Sequence, residues 1–476
     1  MNFEIVLVSD IKNGIGNSNG LFPWDIKEDM QFFKKLTNGH TIIMGKNTAN
    51  TFKMPLKNRI NIVITKEDNY RLIEGFLSFK TLDEALTYSK NKKIYVIGGA
   101  KLAEYAIQHT QCRGVYLNKI YYDYNCDISL SNIFMNVLNT FEQQQNEKKL
   151  IFCKKINNNS ILEFAYYAYM NTEEIQYINL LDKIIHLGEC KSTRNGNTYS
   201  VFGEKLEFNL TNGFPLITTK KMFYRGIFEE LLFFLQGKTN TKILEDKKIM
   251  IWHENTTQEF INNNNKNLQE YDMGPMYGFQ WRHYNAEYKD CHQNYANLGI
   301  DQLSQVINLL VNEPSSRRIL MTTYNVSQVE QGVLYPCHGL QIQFNVEKQK
   351  YINLQMYQRS ADCILGLPFN IASYALLLHI ITNLVNNNKN RKHVYNYVPG
   401  RVIIILGDAH IYSDKKTNHF AVALEHIKRK TQTYKFCDIH ISQKLLDVSD
   451  IDTLSIDDIN INNYVSNGVL KASMVA

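Results

Sequence analysis

The sequence predicts two folded domains, the first an α/β fold with a mostly parallel central sheet and flanking helices. Three observations carry this. The chain has 476 residues, 44% of them hydrophobic, too long for one ordinary domain and ample for two cores. Its first third alternates short apolar runs with amphipathic stretches. That is the pattern of buried strands joined by crossover helices. Near residue 172 a new amphipathic pattern begins, which divides the chain into 1–172 and 173–476.

In order, residues 3–9 (FEIVLVS), 41–45 (TIIMG), 60–65 (INIVIT) and 93–99 (KIYVIGG) read as strands. Residues 25–37 and 81–90 carry apolar positions at helical spacing. A polar turn at 154–160 precedes a strand with alternating apolar positions, and a helix follows from 173. The Asn-rich stretches 262–267 and 386–390 read as surface loops.

The formal charge is +6 and the pI about 8.6. This mild excess suits small anionic substrates at least as well as nucleic acid, and no specific nucleic-acid partner is expected. Eight cysteines show no CxxC pair, which argues against a disulfide framework or a metal site. The expected compartment is reducing and cytoplasmic, with no targeting signal read at the start of the chain. Apolar runs such as 402–406 are too short to span a bilayer, so no membrane partner is expected.

Chemistry is suggested first by VLYPCHGLQIQF, residues 333–344. A thiol with an ordinary pKa of about 8.5 is mostly protonated at neutral pH, so a working Cys337 needs a nearby cation or base. Arg359, in a polar Gln358-Arg359-Ser360 cluster between a strand and an apolar helix, is the candidate for lowering its pKa. Arg317, Arg318 and Arg194 add phosphate-binding capacity. The plainer readings are a buried structural thiol and solvated arginines. A Cys337–His338 metal pair is disfavoured because neighbours on a strand face opposite ways. A Cys–His hydrolase would need a histidine turned onto the sulfur. In the first domain, Asp29 lies on an otherwise apolar helix face, where burial would suit it to proton supply. Gly98 and Gly99 lie between a strand and a helix, a weak phosphate signal by themselves.

The order of these motifs decides among the readings. RNGNTYSVFG, FPLITTKKMF, EELLFFLQGKTN, DMGPMYGFQWRHYNAEY, SSRRILM, YPCHGLQ, YQRSADCILGLPFNIASYALL and GDAHIY together resemble thymidylate synthase over residues 174–476. The resemblance implies an α+β fold and a homodimer with shared sites. It implies methylation of dUMP to dTMP with 5,10-methylenetetrahydrofolate. Cys337 matches the nucleophile that adds to the uracil ring, and Glu230 the carboxylate that organises proton transfer. Asn370 matches the amide that reads the pyrimidine edge. Arg194, Arg359 and Ser360 match the phosphate grip, and Arg317 and Arg318 reach into the partner subunit. His338, Gln358, Asp362, His410 and Tyr412 complete the nucleotide set. Lys220, Trp252, Asn255 and Tyr277 fall on the folate side. Tyr335, Phe234 and the tail KASMVA depart from the family's usual residues.

GIGNSNGLFPW, DMQFFKKLT, IIMGKNT, MPLKNRINIVIT and YVIGGAKL resemble dihydrofolate reductase over residues 1–170. The resemblance implies reduction of dihydrofolate with NADPH. Asp29 matches the carboxylate that assists protonation of the pterin. Trp24, Phe33 and Arg59 match folate contacts. Gly16, Lys46, Thr48, Thr65, Ile97, Gly98 and Gly99 match the NADPH site. Asn118 stands where a threonine usually supports the carboxylate, and Ala103 and Ala49 replace larger residues. An active but slower reductase is expected. The alternative is an active synthase carried by a weak or inactive reductase scaffold.

Overall fold

The structure is a computed structural model. It describes residues 2–20, 22–68, 70, 72–89, 92–109, 111–144, 152–153, 161–193, 195–391, 395–414 and 416–475. The chain divides into two compact units, Met1–Met170 with Thr431–Lys435, and Asn171–Lys430 with Phe436–Ala476.

The first unit is built on one sheet. Its strand order is Phe152–Cys153, Ile161–Ala168, Cys112–Ile120, Phe3–Ser9, Ile94–Val96, Thr41–Gly45, Ile60–Ile64, Phe76–Phe79, with Glu142–Gln144 also paired to Ile161–Ala168. Pairings from Cys112–Ile120 across to Phe76–Phe79 are parallel. Those made by Ile161–Ala168 are antiparallel. The mostly parallel sheet expected from the apolar runs is therefore present. Alternation along each strand fills two cores: Ile5, Leu7, Ile43 and Ile62 face one side, and Val6, Ile42, Met44 and Val63 the other.

Some elements are shorter than their patterns. The first helix is Lys27–Thr37, because Ile26 is still extended with φ −116° and ψ 104°. The helix Leu82–Tyr88 starts where the Thr81 side chain accepts the N–H of Glu84. The strand expected at 93–99 is only Ile94–Val96, and Gly98 and Gly99 lead from it into the helix Ala100–Gln108. The polar turn expected at 154–160 lies outside the described residues.

The second unit carries a sheet in the order Glu189–Thr193, Gly196–Asn209, Val398–Tyr412, Tyr351–Asp362, Gln341–Glu347, Leu320–Met321. Only Tyr351–Asp362 and Val398–Tyr412 pair in parallel. The buried helices Tyr224–Leu235 and Gly366–Asn387 belong to the same large core as the sheet, an α+β arrangement. Gly366–Asn387 is long and apolar enough to cross a membrane, which the short apolar runs did not suggest, but 83% of its apolar window is buried within the unit. It is a core helix. The Asn-rich stretches are not wholly loops: Asn262 and Asn263 end the helix Gln258–Asn263, and Asn386 and Asn387 end Gly366–Asn387.

Glu174 shows how firmly the start of this unit is set. Its carboxylate is fully buried on the helix Thr172–Leu187 and accepts the backbone N–H and hydroxyl groups of Thr218 and Thr219 at 2.5–3.0 Å. Four donors on one carboxylate offset its desolvation and fix the segment leading to Lys220.

Candidate active sites

In the second unit, the two parallel strands end together. Their register sets Ser360 beside Asp408 and Asp362 beside His410. Gln358, Arg359, Ser360, Asp362, His410 and Tyr412 thus share one end of the sheet. The loop bearing Cys337 is held there from three directions. The Arg359 N–H donates to Cys337 O at 2.9 Å. Arg359 Nε donates to Pro336 O at 2.9 Å, and Nη2 to Tyr335 O at 3.1 Å. Tyr277 Oη accepts the Cys337 N–H at 3.1 Å. Gly339, with φ +67°, completes the turn, and a Cβ there would collide with the Tyr374 hydroxyl.

Arg359 Nη2 lies 3.8 Å from Cys337 Sγ, so the cation expected from the sequence is in place. Its effect on the thiol is smaller than expected. Burial pushes the Cys337 pKa above its ordinary value, and Arg359 offsets only part of that rise. The expectation of a net depressed thiol is corrected accordingly. His338 is no partner for the sulfur. Its ring stacks on Tyr277 at 4.6 Å and its Nδ1 lies 2.8 Å from Tyr374 Oη. Burial lowers its pKa to about 3, which keeps it neutral. Tyr374 was not singled out in the sequence, because it contacts His338 from 36 positions away on another element.

A buried carboxyl is linked to this loop through Trp252 and Tyr277. Glu230, on the helix Tyr224–Leu235, is 7% exposed and accepts the Trp252 Nε1–H at 2.8 Å. Burial pushes its pKa up to about 7, and the Trp252 bond counters only partly. Its neighbour Glu229 instead pairs with Lys247 at 2.6 Å. Phe234 stacks on Tyr277 at 4.9 Å, and Trp252 meets both rings edge-on. Contacts therefore run without a break from Glu230 through Trp252 and Tyr277 to Cys337. Asn255 is buried, with its N–H on Trp252 O at 3.1 Å.

Gln358 Nε2 donates to Asn370 Oδ1 at 3.0 Å, which fixes the orientation of the Asn370 amide near the start of Gly366–Asn387. His410 Nδ1 sits 3.0 Å from Asp408 Oδ1, and the Tyr412 ring meets His410 edge-on at 5.2 Å. Three further predicted residues lie away from the Cys337 loop. Lys220 is buried, its ammonium donating to Ile364 O at 2.6 Å, and burial lowers its pKa to about 8. It is held inside the unit by that bond. Arg317 and Arg318 are exposed, and Arg318 pairs with Glu313 at 3.3 Å; the resemblance assigns both to the partner subunit's site, and an exposed position leaves them open to that role. Arg194 lies outside the described residues.

In the first unit, Asp29 on the helix Lys27–Thr37 is 8% exposed. Burial raises its pKa, and a hydrogen bond from Asn118 Nδ2 to Asp29 Oδ1 at 2.6 Å counters it. Asparagine thus reaches the carboxylate from the strand Cys112–Ile120, and its own Oδ1 is buried without a partner. Trp24 packs with Phe22 and Tyr124. Arg59 lies 5.8 Å over the half-buried Phe33 ring, tied by Nε to Thr37 Oγ1 at 2.8 Å. Gly98, with φ +125°, and Gly99 lie against Thr48, and a Cβ on Gly99 would sit 3.2 Å from Thr48 Oγ1. Ile97 continues the sheet with its N–H on Ile43 O at 2.9 Å. Thr65 Oγ1 accepts the Glu67 N–H at 3.2 Å. Lys46 forms an ion pair with Glu67, a partner the sequence did not reveal. Gly16 lies on the short strand Gly14–Gly16, paired to Ile128.

Comparison with known proteins agrees with this division. The thymidylate synthase family matches residues 175–476, and the dihydrofolate reductase family residues 2–158. A bifunctional dihydrofolate reductase-thymidylate synthase of Paramecium tetraurelia is 40% identical over 456 residues, covering 94% of each chain. A protein of that name from Zea mays is 32% identical, covering 97% of this chain and 95% of its own. One from Plasmodium berghei is also 32% identical, with 91% and 82% covered. The chain is a two-domain enzyme and belongs to the bifunctional dihydrofolate reductase-thymidylate synthase family.

Proposed function

We propose that residues 173–476 methylate dUMP through a covalent adduct on Cys337, and that residues 1–172 recycle the folate product. The thiolate adds to the 6-carbon of the uracil ring and makes its 5-carbon nucleophilic towards the methylene of 5,10-methylenetetrahydrofolate. The methylene passes to the 5-carbon, which gives up its proton, and a hydride from the tetrahydrofolate ring completes the methyl group; the bond between the 6-carbon and Sγ then breaks, releasing dTMP and dihydrofolate and leaving its electron pair on the Cys337 thiolate. The observation that carries this reading is Arg359, which clasps the Cys337 loop at three atoms and still lies 3.8 Å from the sulfur. Because the free thiol is raised in pKa, its proton must leave as dUMP settles. Glu230, near neutrality, is the group suited to pass protons through ordered water. The Asn370 amide, oriented by Gln358, presents a donor to the pyrimidine edge.

In the first unit, NADPH supplies the hydride when bound. Gly98 and Gly99 lead into the N-terminus of the helix Ala100–Gln108, whose free N–H groups suit a phosphate, and Lys46 is a cation for it once released from Glu67. Asp29 and Asn118 together orient the pterin and supply its proton.

Glu230→Gln tests the proton-transfer assignment. The wild-type synthase rate should bend near about pH 7, and the variant should lose both that bend and about 10²–10⁴-fold in kcat. An unchanged bend would reassign it to another group.

We further propose a homodimer through the synthase unit, located in the cytoplasm. Phe202 and Tyr357, both on sheet strands, are 77% and 37% exposed, and Arg317 and Arg318 are exposed as well. Sedimentation at micromolar concentration should give twice the chain mass, and a monomer there refutes the dimer. The free state of the described cysteines supports a reducing compartment.

A further inference from the structure

The C-terminal tail, residues 467–475, is pinned at several points to the second unit. The Asn467 N–H donates to Thr218 O at 2.9 Å, and the Lys221 N–H donates to Gly468 O at 2.7 Å. Arg429 Nη1 donates to Thr219 O and Asn467 O, each at 2.9 Å. Asn418 Nδ2 reaches Lys471 O at 3.2 Å, and the Ser473 N–H donates to Thr417 O at 3.0 Å.

The last anchor is a side chain. His419 is fully buried, with Nε2 2.7 Å from Ser473 O and Nδ1 3.4 Å from Asp362 Oδ1. The second contact has the separation of an ion pair without hydrogen-bond alignment. No neutral imidazole serves both. A proton on Nε2 alone turns the Nδ1 lone pair onto a carboxylate. A proton on Nδ1 alone turns the Nε2 lone pair onto the Ser473 carbonyl. The imidazolium satisfies both, and its charge strengthens the bond to the tail.

We infer that His419 is a positioning residue that ties the tail to Asp362 as an imidazolium, so that the tail docks more tightly when His419 is protonated. The groups facing its ring are Asp362 from the strand Tyr351–Asp362, Ser473 from the tail, the Tyr412 ring at 5.4 Å, and the buried Lys220 ammonium. Burial alone lowers the imidazole pKa and Lys220 adds to that, but Asp362 and the Ser473 carbonyl outweigh them and leave it above its ordinary value. Asp362 is held below the ordinary carboxylate value: burial opposes this, but His419 and the N–H groups of Ile364 and Leu365 prevail. For a group whose pKa is raised by docking, the added stability is complete below the undocked pKa. It is lost as pH rises through the docked one.

Carbon-13 histidine NMR on the full-length chain tests this, with the resonance assigned by His419→Gln. His419 should titrate above the ordinary imidazole value of about 6.5. In a chain ending at Ala472 its pKa should fall, and each unit between the two corresponds to about a tenfold weaker tail docking once the imidazole is neutral. Equal pKa values in the two chains overturn the inference, as does an imidazole already neutral at about pH 6. Should truncation disturb the unit, Asp362→Asn in the full chain must also lower the His419 pKa, and no change there is equally fatal. The measurement reads a proton on nitrogen and not turnover, so it stands or falls apart from the assignment of Cys337.

Discussion

Cys337→Ser is expected to abolish dTMP formation, with kcat falling by about 10⁴-fold or more, while dUMP still binds and dihydrofolate is still reduced. A serine hydroxyl fits the space, but at neutral pH it does not supply the anionic nucleophile a thiol can. The loop itself should survive the change. Its hydrogen bonds run through backbone atoms of residues 335–337 to Arg359 and Tyr277, and the weak Sγ contacts at 3.7 and 3.8 Å are all that is altered. The reductase should be untouched, because its sheet is covered by its own apolar clusters. Chromatographic detection of dTMP with calorimetric dUMP binding checks both halves. Activity within tenfold of wild type would remove Cys337 from the chemistry.

How much of this could be read beforehand depended on whether a role lies in a linear motif. Cys337, Glu230, Arg359 and Asn370 in the second unit, and Asp29 in the first, each stand in a distinctive string that singles them out. The parallel sheet was equally plain, because Val- and Ile-rich strands buried on both faces leave little else to predict. What stayed hidden depends on contacts between distant residues. Tyr374 against His338, Glu67 against Lys46, and His419 between Asp362 and the tail have no local signature. The surroundings of Lys220 were hidden for the same reason: a lysine in a string carries no sign that its ammonium will end on Ile364 O. The state of the Cys337 thiol was misjudged because burial, which outweighs Arg359, is a property of the packed unit.

Asp29→Asn should lower kcat for dihydrofolate reduction by about 10²–10⁴-fold at neutral pH and leave the synthase intact. An amide accepts the Asn118 hydrogen bond as the carboxylate does, so packing is preserved while the proton source is lost. The sign of the pH dependence follows from burial. Asp29 holds its proton to higher pH than a surface aspartate, despite the opposing bond from Asn118. Wild-type reduction should therefore slow as pH rises through that raised pKa. In the variant the deficit should shrink as pH falls, because protons from solvent replace those from the side chain. A pH series of NADPH oxidation at saturating dihydrofolate reads both features. A constant deficit at every pH would limit Asp29 to binding.

The central claim is that one chain makes dTMP and restores the folate it consumes. It is tested by giving the full-length protein dUMP, 5,10-methylenetetrahydrofolate and NADPH, and following dTMP and NADPH in one reaction. NADPH should be oxidised only after dUMP is added, and mole for mole with the dTMP formed. Accumulation of dTMP beside an equal amount of dihydrofolate, with NADPH unspent, would contradict the account and leave the first unit a scaffold.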